Sequence, residues 1–149
     1  MNKFFCCMDN YLSKEECDKY IQHYNDNNNL VYTAANESKP IPIQFDKRLQ
    51  QIIKDFNIPY ELENLEIVKR GEGSFMDNHY DTNHTDEVDK FAFLIYLNED
   101  FEGGETVIEE ETTIVPKTGR ILLFTNGILF HKVNKIIKGD RYVIAGWFI

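Results

Sequence analysis

The 149-residue sequence lacks any apolar run that could cross a bilayer. Its longest stretches, "ILLF" (121–124) and "YVIAGWFI" (142–149), are far shorter than the roughly 20 residues a spanning helix requires. Nor is there a secretory leader pattern. The opening "MNKFFCCMDN" carries one lysine and a brief apolar patch that Asp9 cuts off, so it reads as a retained, buried strand. Cysteine is scarce: Cys6, Cys7 and Cys17 are odd in number and lack framework spacing, which excludes a disulfide scaffold and points to a reducing, intracellular setting, cytoplasmic in the simplest case. Positive charge is short as well, with 16 Lys and Arg against 25 Asp and Glu. A net charge of -9 repels phosphate backbones, so nucleic acid is not an expected partner; "KVNKIIKGDR" is the best local basic candidate. Internal repeats are missing, and only "NDNNN" resembles low complexity.

What is present suits a globular domain: 42% apolar residues, 13% aromatic and 28% charged. A chain of this length can bury about two thirds of its unfolded surface in a single core. We therefore expect one domain over 1–149, with mostly helical support in 1–60 and a β core in 61–149.

Ser13 and Glu16 form a capping box, and Leu12, Cys17, Ile21 and Tyr24 recur at helical spacing, which predicts a helix over 14–25. Cys17 falls on its apolar face as a small buried hydrophobe. Asp46 can cap a second helix with Leu49, Ile52, Ile53 and Phe56 as its stripe, ended by Asn57 and Pro59. Between the two lies an irregular stretch with Pro40 and Pro42. From Glu61 the period changes to two: "LENLEIVKR", "KFAFLIYLN", "ETVIEEE", "GRILLFTN", "GILFHKV" and "DRYVIAGWFI" read as strands separated by turns. Helices followed by strands predict an α+β fold, an antiparallel jelly roll with helices on one face.

The densest polar chemistry is "FMDNHYDTNHTDE" (75–87). On a strand, His79 and Asp81 project to one face and Tyr80 to the other, so two ligands can grip one ion. Asp77 shares their parity but sits too far along an extended strand to close around the same ion. His84 lies past "TN", where periodicity no longer assigns a direction. An isolated H-x-D is a weak signal. It gains weight from His131 in "FHKV" and from Arg141, ten residues later. Two histidines and one carboxylate form the facial triad of non-haem Fe(II) oxygenases, although the same donors accept other divalent metals. Arg141, Val143, Ala145 and Trp147 share one face, so a charge begins an otherwise apolar inward row and requires a partner. That partner is either the distal carboxylate of a cosubstrate, held in a charge-assisted pair, or an Asp or Glu at a sheet edge.

Taken together these segments resemble the 2-oxoglutarate and Fe(II)-dependent dioxygenases of the prolyl 4-hydroxylase-like branch. "MDNYLSKEECDKYI" is similar to the family's opening strand and helix, and "FLIYLNEDFEGGET" to its central strand pair. "HYD", "FHKV" and "GDRYVIAGWF" are similar to its metal and cosubstrate segments, in the family's order. The resemblance implies a double-stranded β-helix core, His79, Asp81 and His131 as iron ligands, and Arg141 on the distal carboxylate of 2-oxoglutarate. It also implies that Tyr96 assists Arg141 through its hydroxyl; without the resemblance, Tyr96 reads as a core aromatic with a satisfied OH. "GGET" (103–106) resembles the turn and strand that border the substrate opening. Two positions depart from the family pattern: Lys69 stands where a pocket tyrosine is common, and Met76 where an aromatic is.

The resemblance further implies Fe(II), 2-oxoglutarate and O2, with ascorbate in support, hydroxylation of an unactivated C–H, and succinate and CO2 as coproducts. Asp81 at the middle ligand position suits hydroxylation rather than halogenation. The expected substrate is a prolyl residue in a protein or peptide, recognised by loops around 71–78, 82–90 and 99–103. A small molecule, a lysyl side chain or an alkylated base is the alternative, and a non-catalytic metal-binding or interaction module is the rival of another class.

Overall fold

The computed structural model describes residues 3–33, 38–44, 46–81 and 91–148. Strand β1 (Phe5–Met8) leads into α1 (Lys14–Asp26), a turn of 3-10 helix (Asn28–Leu30), β2 (Lys39–Pro42) and α2 (Lys47–Asp55). Ten strands follow: β3 (Leu62–Arg70), β4 (Met76–His79), β5 (Phe91–Tyr96), β6 (Glu102–Gly103), β7 (Thr106–Ile108), β8 (Thr112–Ile114), β9 (Ile121–Thr125), β10 (His131–Val133), β11 (Ile136–Lys138) and β12 (Arg141–Phe148). A six-stranded sheet runs β1-β9-β5-β12-β3-β2, a four-stranded sheet runs β4-β10-β7-β8, and β6 pairs with β11. All pairings are antiparallel.

Both helices begin where capping chemistry expects. Ser13 accepts from the Glu16 amide while Glu16 reaches back to the Ser13 amide, and Asp46 accepts from the Arg48 and Leu49 amides. Their apolar stripes, including Cys17, Tyr24, Leu49 and Ile52, cover one face of the large sheet. Alternation then sorts each central strand. Phe93, Ile95, Ile121, Leu123, Ile144 and Phe148 face the helices, while Ala92, Tyr96, Leu122, Phe124, Val143 and Ala145 face inward with Ile108 and Ile114 of the small sheet. The large sheet is thus buried on both sides, which is why its strands read as nearly continuous apolar runs. Each fully buried Leu or Ile here contributes about 1.5–3 kcal/mol of transfer free energy.

Three expectations need correction. The N-terminal strand forms but is not buried: β1 pairs only with β9 at the sheet edge, which leaves Phe5 and Met8 37% and 48% exposed. The stretch with Pro40 and Pro42 is not irregular. It is the opposite edge strand, where β2 pairs with β3 alone, so prolines without an N–H are tolerated, and the first 60 residues supply two strands as well as helices. "ETVIEEE" is a strand only to Ile108; Glu109 and Glu110 then turn through φ of 53° and 59° into the unanticipated β8, and "GILFHKV" becomes a strand only at His131 after a turn through Gly127.

Candidate active site

The pairing of β10 with β4 sets His131 directly across from His79, joining residues 52 positions apart in the chain. Asp81 lies two residues past His79, just beyond the end of β4. Asp81 Oδ1 stands 2.9 Å from His79 Nε2 and 3.4 Å from His131 Nε2. The two rings are tilted against one another with centroids 4.3 Å apart, and Phe124 packs on His131 at 5.1 Å.

Backbone carbonyls fix both imidazoles. His79 Nδ1 donates to the Asp77 carbonyl at 2.8 Å and His131 Nδ1 to the Leu129 carbonyl at 3.0 Å. A carbonyl can only accept, so the proton is pinned on Nδ1 and each Nε2 is directed toward Asp81. The indole N–H of Trp147 donates to Asp81 Oδ2 at 3.3 Å, which leaves Oδ1 as the oxygen aimed at the histidines. Burial alone would raise the Asp81 pKa, but the hydrogen bonds that Nε2 of His131 and Nε2 of His79 donate when the rings are in their doubly protonated form outweigh it and hold the carboxyl far below its usual range. Burial alone would lower His79, yet its bonds to Asp81 and the Asp77 carbonyl raise it above the usual imidazole value.

This donor set fits a divalent cation. His79, Asp81 and His131 each offer one atom, all within 4.8 Å of one another. Ligands about 2.1 Å from a common ion at near-right angles would stand about 3 Å apart, close to the two separations found.

The triad lines one wall of a cavity of about 130 Å³ between the sheets, well below the several hundred Å³ of pockets for drug-sized ligands. Arg141 enters it from the start of β12, followed on the same face by Val143, Ala145 and Trp147, the inward row that alternation predicts. Arg141 is 2% exposed. Its Nε donates to the Gly104 carbonyl at 3.0 Å and its Nη2 to Thr106 Oγ1 at 3.3 Å. Among the described residues no carboxylate hydrogen-bonds this guanidinium. The edge-of-sheet ion pair is therefore not what the fold builds. Gly104 is required here: at φ +71° it lies so close that an added Cβ would fall 2.6 Å from Ile136 Cδ1 and 3.1 Å from Arg141 Cδ.

Tyr96 is fully buried, its ring beneath the Arg141 guanidinium at 5.4 Å and its hydroxyl 2.6 Å from Thr106 Oγ1. The hydroxyl that reaches the cavity wall is that of Thr106, with Tyr96 behind it. Thr106 entered the sequence reading only as the end of "GGET". Arg70 was missed altogether. It lies directly across from Arg141 in the β3–β12 register, lines the same cavity and donates to Ser74 Oγ at 3.0 Å. Burial, together with the neighbouring Arg141 charge, lowers its pKa to about 10. Lys69, flagged as a pocket position, instead faces outward, 3.7 Å from Asp140 and over the Tyr142 ring, because strand alternation gives the cavity to Arg70. Met76 does line the cavity. Asp77 contributes its carbonyl and not its carboxylate. His84 and the 82–90 loop lie outside the described residues.

Residues 65–149 match the model of the 2OG-Fe(II) oxygenase superfamily, and the chain belongs to that family. Its cofactors are accordingly Fe(II), 2-oxoglutarate and O2. Prolyl 3-hydroxylase 2 of Homo sapiens is 38% identical over 65 residues, 39% of this chain and 9% of that protein. A PKHD-type hydroxylase of Prochlorococcus marinus is 32% identical over 106 residues, 65% of this chain and 46% of its own length. The chain thus spans less than half the length of these two relatives. The fold matches a viral collagen prolyl hydroxylase of Paramecium bursaria Chlorella virus-1, solved with 2OG, at a TM-score of 0.82 and 20% identity over 99% of this chain and 96% of that one. The double-stranded β-helix expected from the sequence is therefore the fold adopted. No helix among the described residues is long and apolar enough to cross a membrane.

Proposed function

We propose that this chain is an Fe(II)- and 2-oxoglutarate-dependent dioxygenase that hydroxylates an unactivated C–H of a prolyl residue in a protein or peptide. Written in balance, R–H, O2 and 2-oxoglutarate give R–OH, succinate and CO2. The observation that carries this reading is the convergence of His79, Asp81 and His131 with the buried Arg141 on one small cavity. A merely metal-binding module has no use for a buried guanidinium beside its metal ligands.

Iron with bound cosubstrate supplies the oxygen chemistry; the residues of this chain supply position and charge. His79, Asp81 and His131 would hold the ion and, as only three protein donors, would leave it positions for other ligands. Arg141 holds the distal carboxylate of 2-oxoglutarate, with Thr106 and Tyr96 fixing its orientation and Arg70 adding positive charge nearby. Val68, Leu94, Phe124 and Val143 keep the cavity walls apolar. A wider groove lined by Tyr32, Pro42, Tyr80 and Trp147 shares Met76, His79 and Asp81 with the cavity and so opens onto the metal site. Its aromatic walls suit an extended, proline-bearing peptide. The names of the relatives and of the structural neighbour support a prolyl substrate. Cys17, a buried thiol on α1 outside any disulfide, fits a reducing, intracellular setting.

Incubation with Fe(II), ascorbate, 2-oxoglutarate and a library of proline-containing peptides tests this function. A +16 Da shift on proline with matching succinate, absent when 2-oxoglutarate is omitted, is expected. Metal and 2-oxoglutarate binding with no succinate release from any peptide would favour the non-catalytic module.

A further inference from the structure

Resting on the peptide hydroxylase reading, we propose that Glu66 is a specificity-determining residue that selects substrates carrying a lysine or arginine next to the hydroxylated residue. The inward row of β3 runs Glu66, Val68, Arg70, paired across the sheet with Ala145, Val143 and Arg141. Charge along this wall is therefore segregated. Two guanidiniums face each other at one end, and a carboxylate stands at the other, about 13 Å away along the strand. The anionic cosubstrate belongs at the arginine end, which leaves the carboxylate to the substrate.

Glu66 is placed for that task. It lines both the inner cavity and the outer groove, as does Trp147, whose neighbour Ala145 sits across from Glu66. Its carboxylate accepts from the hydroxyl of Tyr32 at 3.3 Å and forms no ion pair among the described residues, and burial pushes its pKa up. A half-buried carboxylate served by one long neutral hydrogen bond gains strongly from a cationic partner. The described lining of the groove offers it none, since apart from the phenols of Tyr32 and Tyr80, which carry no positive charge, its other ionisable members are Asp81 and His79, already bonded to one another. The net charge of -9 attracts basic peptides at longer range.

The test uses the full chain and matched prolyl peptides that differ at one flanking position, Lys, Gln or Glu. Binding is followed by fluorescence anisotropy with Mn(II) and 2-oxoglutarate present, and turnover by the +16 Da product with Fe(II). The Lys peptide should exceed the Gln peptide by about 10- to 100-fold in affinity and in kcat/KM, with the Glu peptide weakest. Glu66→Gln should collapse the Lys-to-Gln ratio toward one, an effect that loss of fold would not produce. Equal binding of Lys and Gln peptides by the natural chain, or an unchanged ratio in Glu66→Gln, overturns the proposal. Lys-selective binding without any +16 Da product would sustain the role of Glu66 while sinking the prolyl hydroxylase reading.

Discussion

Replacing Arg141 with methionine separates the cosubstrate role from the metal role. Methionine approximates the volume of the arginine stem, so the cavity between Tyr96, Gly104 and Ile136 is not emptied. What is lost, on the proposed role, is a charge-assisted hydrogen bond to the distal carboxylate of 2-oxoglutarate, a contact worth about 1.5–3 kcal/mol, or roughly 10- to 150-fold in affinity. Arg70, directly across the sheet, retains a second positive charge, which places the expected effect in the lower part of that range, about 10- to 50-fold. Stability should change little: the Gly104 carbonyl loses its donor, but a fully buried charge and its repulsion from Arg70 are also removed. The assay is succinate release against cosubstrate concentration, with 2-oxoglutarate compared to a 2-oxo acid of equal length lacking the distal carboxylate. Arg141→Met should raise KM for 2-oxoglutarate and erase most of the preference over the truncated acid, while activity at saturation falls far less. An unchanged KM, or an equal rise for both acids, would refute the assignment.

Other substitutions probe the remaining parts. His131→Ala removes one of three metal donors and should abolish turnover and weaken Mn(II) or Fe(II) binding by at least tenfold, read by metal titration of a chain whose circular dichroism is unchanged; full activity would sink the triad. Trp147→Phe frees Asp81 Oδ2 from its indole donor. Metal affinity measured without peptide should fall by about 10-fold, and an unaltered affinity would show that Asp81 needs no such support. Gly104→Ala forces a side chain into φ +71° and against Arg141. It should lower the melting temperature by several degrees, since the left-handed backbone alone costs about 1–2 kcal/mol, and raise KM for 2-oxoglutarate; a wild-type melting temperature would contradict the crowding seen at this turn.

Much of the proposed site was legible because most of its candidate residues sit in short local patterns. His79 and Asp81 are two residues apart, and Arg141 leads a strand whose alternate residues are apolar. The helices were readable for a similar reason, since Ser13, Glu16 and Asp46 act on amides within three residues of themselves. The edges were less legible. Pro40 and Pro42 look like breakers until β2 is seen to pair on one side only, and the apolar β1 looks buried until its place at the sheet's rim is known. Arg70 and Thr106 gave no local signal. Each gains meaning from a neighbour across the sheet or across the cavity.

The sequence by itself determined the strand periods, the helix caps, the inward row of β12 and the residue types able to bind a metal and a dicarboxylate, because alternation and capping depend on near neighbours along the chain. Only the tertiary structure decided which rows share a cavity. Antiparallel pairing put His131 across from His79 and Arg70 across from Arg141, and set Glu66 at the far end of the same wall. Register is a property of two strands at once, so no single stretch of sequence contains it.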